Sequence, residues 1–157
     1  MTFTTKLHET IANYHLEDTT ENLFVKVFKG HPSALMPSGR PVARWFTNGT
    51  IDAPEGPRVI TGRRMVAAVF TVQCIWPLAA TEAAQQGQED QIAEAMIGIP
   101  AELIAIEKNT YTIAGKNVTV VTVGGNQPVT REILFPESEQ ENILLSLVVH
   151  ARILEAS

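Results

Sequence analysis

Met65-Val66-Ala67-Ala68-Val69-Phe70-Thr71-Val72-Gln73-Cys74-Ile75-Trp76 decides how the rest of this chain is read. Val66, Ala68, Phe70, Val72, Cys74 and Trp76 recur at period two, and so do Met65, Ala67, Val69, Thr71, Gln73 and Ile75. Both sets are largely apolar. A strand apolar on both faces belongs in the middle of a sheet or is covered on both sides. Pro77 marks its end.

Downstream, residues 81–97 predict a helix. Thr81 suits an N-cap, and Glu82 lies in the first turn, where the helix dipole favours an acid. Ala84, Ile92, Ala95, Met96 and Ile99 trace the expected apolar face. Gln85, Gln86, Gln88, Glu89, Asp90 and Glu94 populate the expected solvent side, and Gly98 with Pro100 is read as the stop. Residues 101–106 fit either another helical turn or the next strand. Strands are then expected over 111–113, 118–123, 129–135 and about 142–154, with turns at 114–117 and 124–126.

Upstream, Leu7, Ile11 and Tyr14 give residues 4–14 a narrow helical stripe. Residues 23–28 read as a strand. Residues 29–64 differ in kind, holding five of the nine prolines and five of the ten glycines. The segment reads as a long basic loop, with 41–46 as a short extended piece inside it. It carries +4, six cations against Asp52 and Glu55, which leaves −9 on the rest of a chain whose formal charge is −5. The expected fold is α+β: a mostly antiparallel sheet, with an N-terminal helix and one main helix on one face, plus a long Gly/Pro/Arg-rich loop. The 157 residues suit a single domain, 1–157, with 29–64 as its basic arm.

Hydrophobic residues make up 45% of the chain and charged residues 18%, which argues against wholesale disorder. Net charge −5 argues against a protein that coats nucleic acid. One cysteine excludes an internal disulfide framework and a cysteine zinc cluster. No apolar run approaches the roughly 20 residues of a membrane-spanning helix. The polar start, Met1 to Lys6, gives the expectation of a reducing compartment or a particle assembled there.

Catalytic chemistry finds little footing. Cys74 sits mid-strand among apolar neighbours and reads as a core thiol. His8, His15, His31 and His150 form no pair at metal-ligand spacing. Glu89, Asp90 and Glu94 read as a solvated helix face, and Glu137, Glu139 and Glu141 as a soluble loop. Gly124-Gly125-Asn126 lies between strands and lacks the helix of a phosphate cradle. The triplets Asn48-Gly49-Thr50 and Asn117-Val118-Thr119 match a glycosylation pattern of low information. No catalytic, cofactor or metal residue is assigned. The basic segment is the candidate site: its arginines interleave with Trp45 and Phe46, chemistry suited to acidic protein faces, to phosphates or to stacking. Arg40, Arg44, Trp45, Phe46 and Arg58 are its nominated protein-contact residues. An acidic body with a basic arm also suits head-to-tail assembly.

The order of elements resembles that of the tail terminator proteins of long-tailed bacteriophages, and more broadly of small head–tail joining proteins of the neck. The residues that carry the resemblance are the helix 4–14, the strand 23–28, the Gly/Pro-rich excursion, the apolar strand 65–76, the helix 81–97, the hairpins over 111–123 and 129–135, and the closing strand 143–154. The resemblance implies a non-enzymatic virion protein that forms a homo-oligomeric, hexameric ring. Such a ring sits on the tail tube protein, meets the head–tail connector, and lets DNA pass through its lumen without sequence-specific binding. It implies assembly in the host cytoplasm, with no membrane and no cofactor. Three alternatives stay open: another connector or stopper component, a small-ligand enzyme whose pocket joins His31, Arg64, Glu132 and His150, and a nucleic-acid-binding module that uses the basic loop.

Overall fold

The computed structural model describes residues 2–32, 40–52, 65–106, 110–113, 116–123, 130–134 and 142–155. It is an α+β fold with the order α1 (Phe3–Ala12), β1 (Val27–Lys29), β2 (Val42–Asp52), β3 (Met65–Pro77), α2 (Glu82–Ile104), β4 (Thr110–Ile113), β5 (Lys116–Val123), β6 (Thr130–Leu134) and β7 (Asn142–Glu155).

The doubly apolar strand is β3, and it lies inside the sheet. The sheet order is β1-β2-β3-β7-β5-β4, with β6 also on β7. Along its whole length β3 pairs antiparallel with β7, from Met65↔Leu154 to Pro77↔Asn142. On its other side it pairs antiparallel with β2, from Val42↔Ile75 to Asp52↔Val66. The β1–β2 ladder is parallel. β7 is long enough to hold β6 against its first residues and β5 against its last.

One face of this sheet carries the core. Ala43 and Trp45 of β2, Ala68, Phe70, Val72, Cys74 and Trp76 of β3, and Ile143, Leu145 and Val149 of β7 meet Phe3, Leu7 and Ile11 of α1 and Ile92, Ala95, Ile99 and Leu103 of α2. The stripe expected on the first helix is buried, and Phe3 extends it. The Phe3 ring lies 5.3 Å from Phe70 and 5.9 Å from Tyr111. The Thr2 hydroxyl caps this helix by accepting from the Thr5 N–H at 3.1 Å. Trp76 is buried edge-on to Phe24. Its indole N–H has no partner among the described residues. An orphan of that kind costs about 1–3 kcal/mol, so ring burial must outweigh it.

Four readings are corrected. Residues 29–64 are not one loop, because β2 runs for 11 residues within them. Alternation explains it: Ala43 and Trp45 point into the core while Arg44 and Phe46 point away, so the segment is a half-buried strand despite its flanking prolines. Residues 33–39 and 53–64 lie outside the described residues. The first strand is shorter than expected. Leu23 and Phe24 enter the core as irregular chain, and ladder pairing begins only at Val27. Gly30, at φ 83°, turns the chain out of β1 while its N–H donates to the Trp45 carbonyl at 2.7 Å.

The third correction is that α2 runs through Gly98 and Pro100 to Ile104. An interior proline costs about 3 kcal/mol. Burial of Ile99 and Leu103 beyond the expected stop offsets that cost. Fourth, Gln88 is no solvent-side residue. Its Oε1 accepts from the Ala79 N–H at 3.0 Å and its Nε2 donates to the Pro77 carbonyl, pinning the β3–α2 turn. Gln85 adds a bond to the Ala79 carbonyl at 2.8 Å. The expected turn at 124–126 and the acidic loop at 137–141 lie outside the described residues.

Gly98 has a packing role that the helix stop had concealed. A Cβ there would overlap the Tyr14 hydroxyl. That hydroxyl approaches the Glu94 carbonyl at 3.4 Å and joins the segment after α1 to α2. Gly98→Ala should therefore destabilise the protein by about 1–3 kcal/mol in denaturant unfolding. Adding Tyr14→Phe removes the clashing oxygen and should recover part of the loss, read as a double-mutant cycle. Additive losses would show that the two positions are not coupled.

Candidate functional site

The sheet face opposite the helices carries the unusual chemistry. Register places Arg44 of β2 opposite Gln73 of β3, and Gln73 opposite Ser146 of β7. The three side chains join in that order. Arg44 Nε donates to Gln73 Oε1 at 2.6 Å, and Gln73 Nε2 donates to Ser146 Oγ at 3.3 Å. A break in register between Thr47 and Gly49 leaves Asn48 bulged, and its amide donates to the Thr71 hydroxyl at 2.8 Å. On the same face a small apolar group, Val42, Ile75 and Leu144 with Phe28 against it, lies beside this polar row.

Aromatic and cationic groups flank the row. The Lys26 ammonium sits 5.1 Å above the Phe28 ring. The His31 ring lies 4.2 Å from Phe46. Residues 23–32 and 40–52 hold four cations, Lys26, Lys29, Arg40 and Arg44, against one carboxylate, Asp52. Arg44 is half-buried, and burial lowers its pKa from the ordinary guanidinium value. Its bond is to a neutral amide. The charge is therefore held by geometry and left available to an anionic partner.

The nominated residues divide. Arg44 and Phe46 belong to this face. Arg40 is exposed and anchors the chain before β2: Nη1 pairs with Glu21 at 3.0 Å and Nη2 donates to the Asn22 carbonyl at 2.8 Å. Exposed pairs of this kind contribute little stability. Trp45 is corrected from an exposed arm residue to a core residue, 6% exposed. Strand alternation turns it inward, and its indole N–H donates to Nδ1 of His8 at 3.0 Å. Arg58 lies outside the described residues.

Other candidates resolve simply. Burial pushes the Cys74 thiol up to about 12, so it remains a neutral core group. Of the residues of the small-ligand reading, Glu132 and His150 are not brought together. Glu132 of β6 pairs with Leu144 of β7, whereas His150 is itself on β7, opposite Val69 of β3. Those β7 positions are six apart, about 20 Å at ~3.3 Å per residue. Arg64 lies outside the described residues. A cleft of about 300 Å³ lies between the end of α1 and the end of α2, with Lys6, Glu9, Tyr14, His15 and Glu102 on its walls. Burial first, then Glu94 and Glu102, raises the Tyr14 pKa, so its phenol stays protonated. Glu94, expected on a solvated face, accepts the Glu17 N–H at 2.9 Å. No group of residues able to hold a metal ion occurs among those described.

α2 presents a second surface. Ile92, Ala95, Ile99 and Leu103 are buried, whereas Ala84 and Met96, expected on the apolar face, are exposed. Ile97 is 72% exposed, Ile104 51% and Met96 44%. The helix carries Glu82, Glu89, Asp90, Glu94 and Glu102 and no cation. Period alone could find the buried side but not the width of contact, which depends on how deep the helix sits. The Arg44–Gln73–Ser146 row was also missed, because it needs the register of three strands.

No protein-family model matches the chain, and no curated protein matches it. Solved structures do match it; one of them is similar over 95% of this chain and 96% of its own, at 15% identity and a TM-score of 0.37. A likeness at that level carries no argument about fold or function.

The Trp45–His8 bond makes a pH prediction. Nδ1 accepts only when unprotonated. Burial, with help from Lys29 and against Glu9, lowers the His8 pKa from its ordinary 6.5. The unfolded chain therefore binds the proton first as pH falls. The contribution of His8 is complete above about 6.5 and is lost as pH drops toward its folded value. The melting temperature should fall over that window, and His8→Gln, whose amide oxygen can still accept, should flatten the fall. An identical pH profile in the variant would remove His8 as the cause.

Proposed function

We propose that this protein is a non-enzymatic structural component of a virion: a tail terminator that forms a homo-oligomeric ring at the head-proximal end of a long phage tail. The observation that carries the reading is the apolar stripe on α2. Ile97, Ile104 and Met96 stand exposed on a helix whose other side already fills the core. Large apolar side chains exposed on one helix, Ile97 and Ile104 two turns apart on the same side, favour a contact surface. The element order supports the same reading, with β2 added inside the excursion that the resemblance left as loop.

The mechanism of such a protein is assembly. Subunits bury these surfaces around an axis, and the ring ends growth of the tail tube protein while offering its other side to the head–tail connector. The ring size proposed is six. The acidic excess of the chain favours passage of DNA through the lumen without sticking, since like charges repel. No sequence-specific contact to DNA is needed. No described helix is long and apolar enough to cross a membrane. The proposed place of assembly is the host cytoplasm.

A second reading, another connector or stopper of the same neck, rests on the same surfaces and differs only in which neighbour the ring meets. Light scattering across a concentration series tests the shared claim. The expected result is growth from the 17.2 kDa chain toward six times that mass. A strict monomer at every concentration would overturn the ring.

A further inference from the structure

The two surfaces described above lie on opposite sides of the sheet and have complementary chemistry. On one side is the outer face of α2. Ala93, Ile97, Ala101 and Ile104 recur at helical spacing and are exposed, and the helix around them carries five acids and no cation. Its last turn has no basic residue of its own. On the other side are Lys26 over Phe28, Arg44 in register with Phe28, and His31 against Phe46. That side has cations and aromatic rings, and the two segments that build it hold one carboxylate, Asp52 at the far end of β2.

Resting on the ring reading, we infer that the outer face of α2 docks onto the Lys26–Phe28–Arg44–Phe46 face of a second copy of this chain. The α2 stripe would cover the aromatic rings, and its flanking carboxylates would meet Lys26 and Arg44. The contact is heterologous, because each copy uses two different surfaces. Repeating it makes a closed ring or an open helix, depending on the rotation per step. A symmetric α2-to-α2 dimer is disfavoured, since it would bring the exposed acids Glu82, Glu89 and Asp90 of one helix toward those of the other. Arg44 enters such a contact prepositioned: its bonded geometry with Gln73 already restricts the guanidinium, so little further ordering is lost on docking.

The test uses two variants of the full chain. Ile97→Asp with Ile104→Asp breaks the helix face at exposed positions. Lys26→Glu with Arg44→Gln breaks the basic face, and the glutamine can still bond to Gln73. Lys26→Glu alone serves as a control in case the double variant fails to fold, and circular dichroism checks each one. Light scattering should show each variant self-associating at least about tenfold more weakly than wild type. Their equimolar mixture should form dimers of twice 17.2 kDa and nothing larger, because only one intact contact can be made.

If wild type assembles and the helix variant assembles equally well, this contact is wrong while the ring reading stands. If the helix variant is monomeric but the basic variants assemble like wild type, α2 meets something other than this face. A mixture that stays monomeric also overturns the inference. A wild type that is monomeric throughout removes the ring reading, and this contact with it.

Discussion

The structure depends on the burial of β3 from both sides. Its ladders with β2 and β7 satisfy the backbone groups of a long apolar strand that water could not solvate at low cost. Once β3 is central, one set of its residues must face the helices and the other must face away. Phe70, Val72, Cys74 and Trp76 take the helical side, and this fixes where α1 and α2 lie. Thr71, Gln73 and Ile75 take the other side, and this fixes where the polar row forms. A slip of one residue would exchange the two faces, so hydrophobic burial sets register and register sets the surface chemistry.

β2 is the element on which fold and candidate site meet. Its inward residues, Ala43 and Trp45, close the core beside α1. Its outward residues, Arg44 and Phe46, make the basic and aromatic face. A single alternating strand therefore couples stability to surface presentation. The bulge at Asn48 tightens that coupling, because it aims the side chain at Thr71 on the neighbouring strand. The two ends of α2 are treated differently. Thr81 caps its start, Gln85 and Gln88 tie that start to the end of β3, and Tyr14 packs over Gly98 farther along. The helix is thus held at its start and again near Gly98, with its outer stripe facing away from both contacts.

Much of this was legible in the chain. The period-two pattern of 65–76, the helical stripe of Leu7 and Ile11, the Thr81 cap and the core role of Cys74 all follow from local rules and match what is observed, whereas Tyr14 is buried just beyond the end of α1. The errors fall where a local signal was outweighed by distant packing. Proline and glycine flanking residues 41–52 suggested loop, but pairing with β3 made a strand. Gly98 and Pro100 suggested a helix stop, but burial of Ile99 and Leu103 carried the helix past them.

What the sequence determined by itself was the set of elements with strong periodicity, the acidic body, and the cation-rich character of the segment around Arg40 and Arg44. These depend on residue type and spacing, which are local. Only the tertiary structure decided that Arg44 meets Gln73 and Ser146, that Trp45 turns inward to His8, and that Ile97 and Ile104 face away from the core. Each of these depends on register between strands or on the depth at which a helix sits. Those quantities are set by how much apolar surface the whole chain can bury at once, and no window of neighbouring residues contains that information.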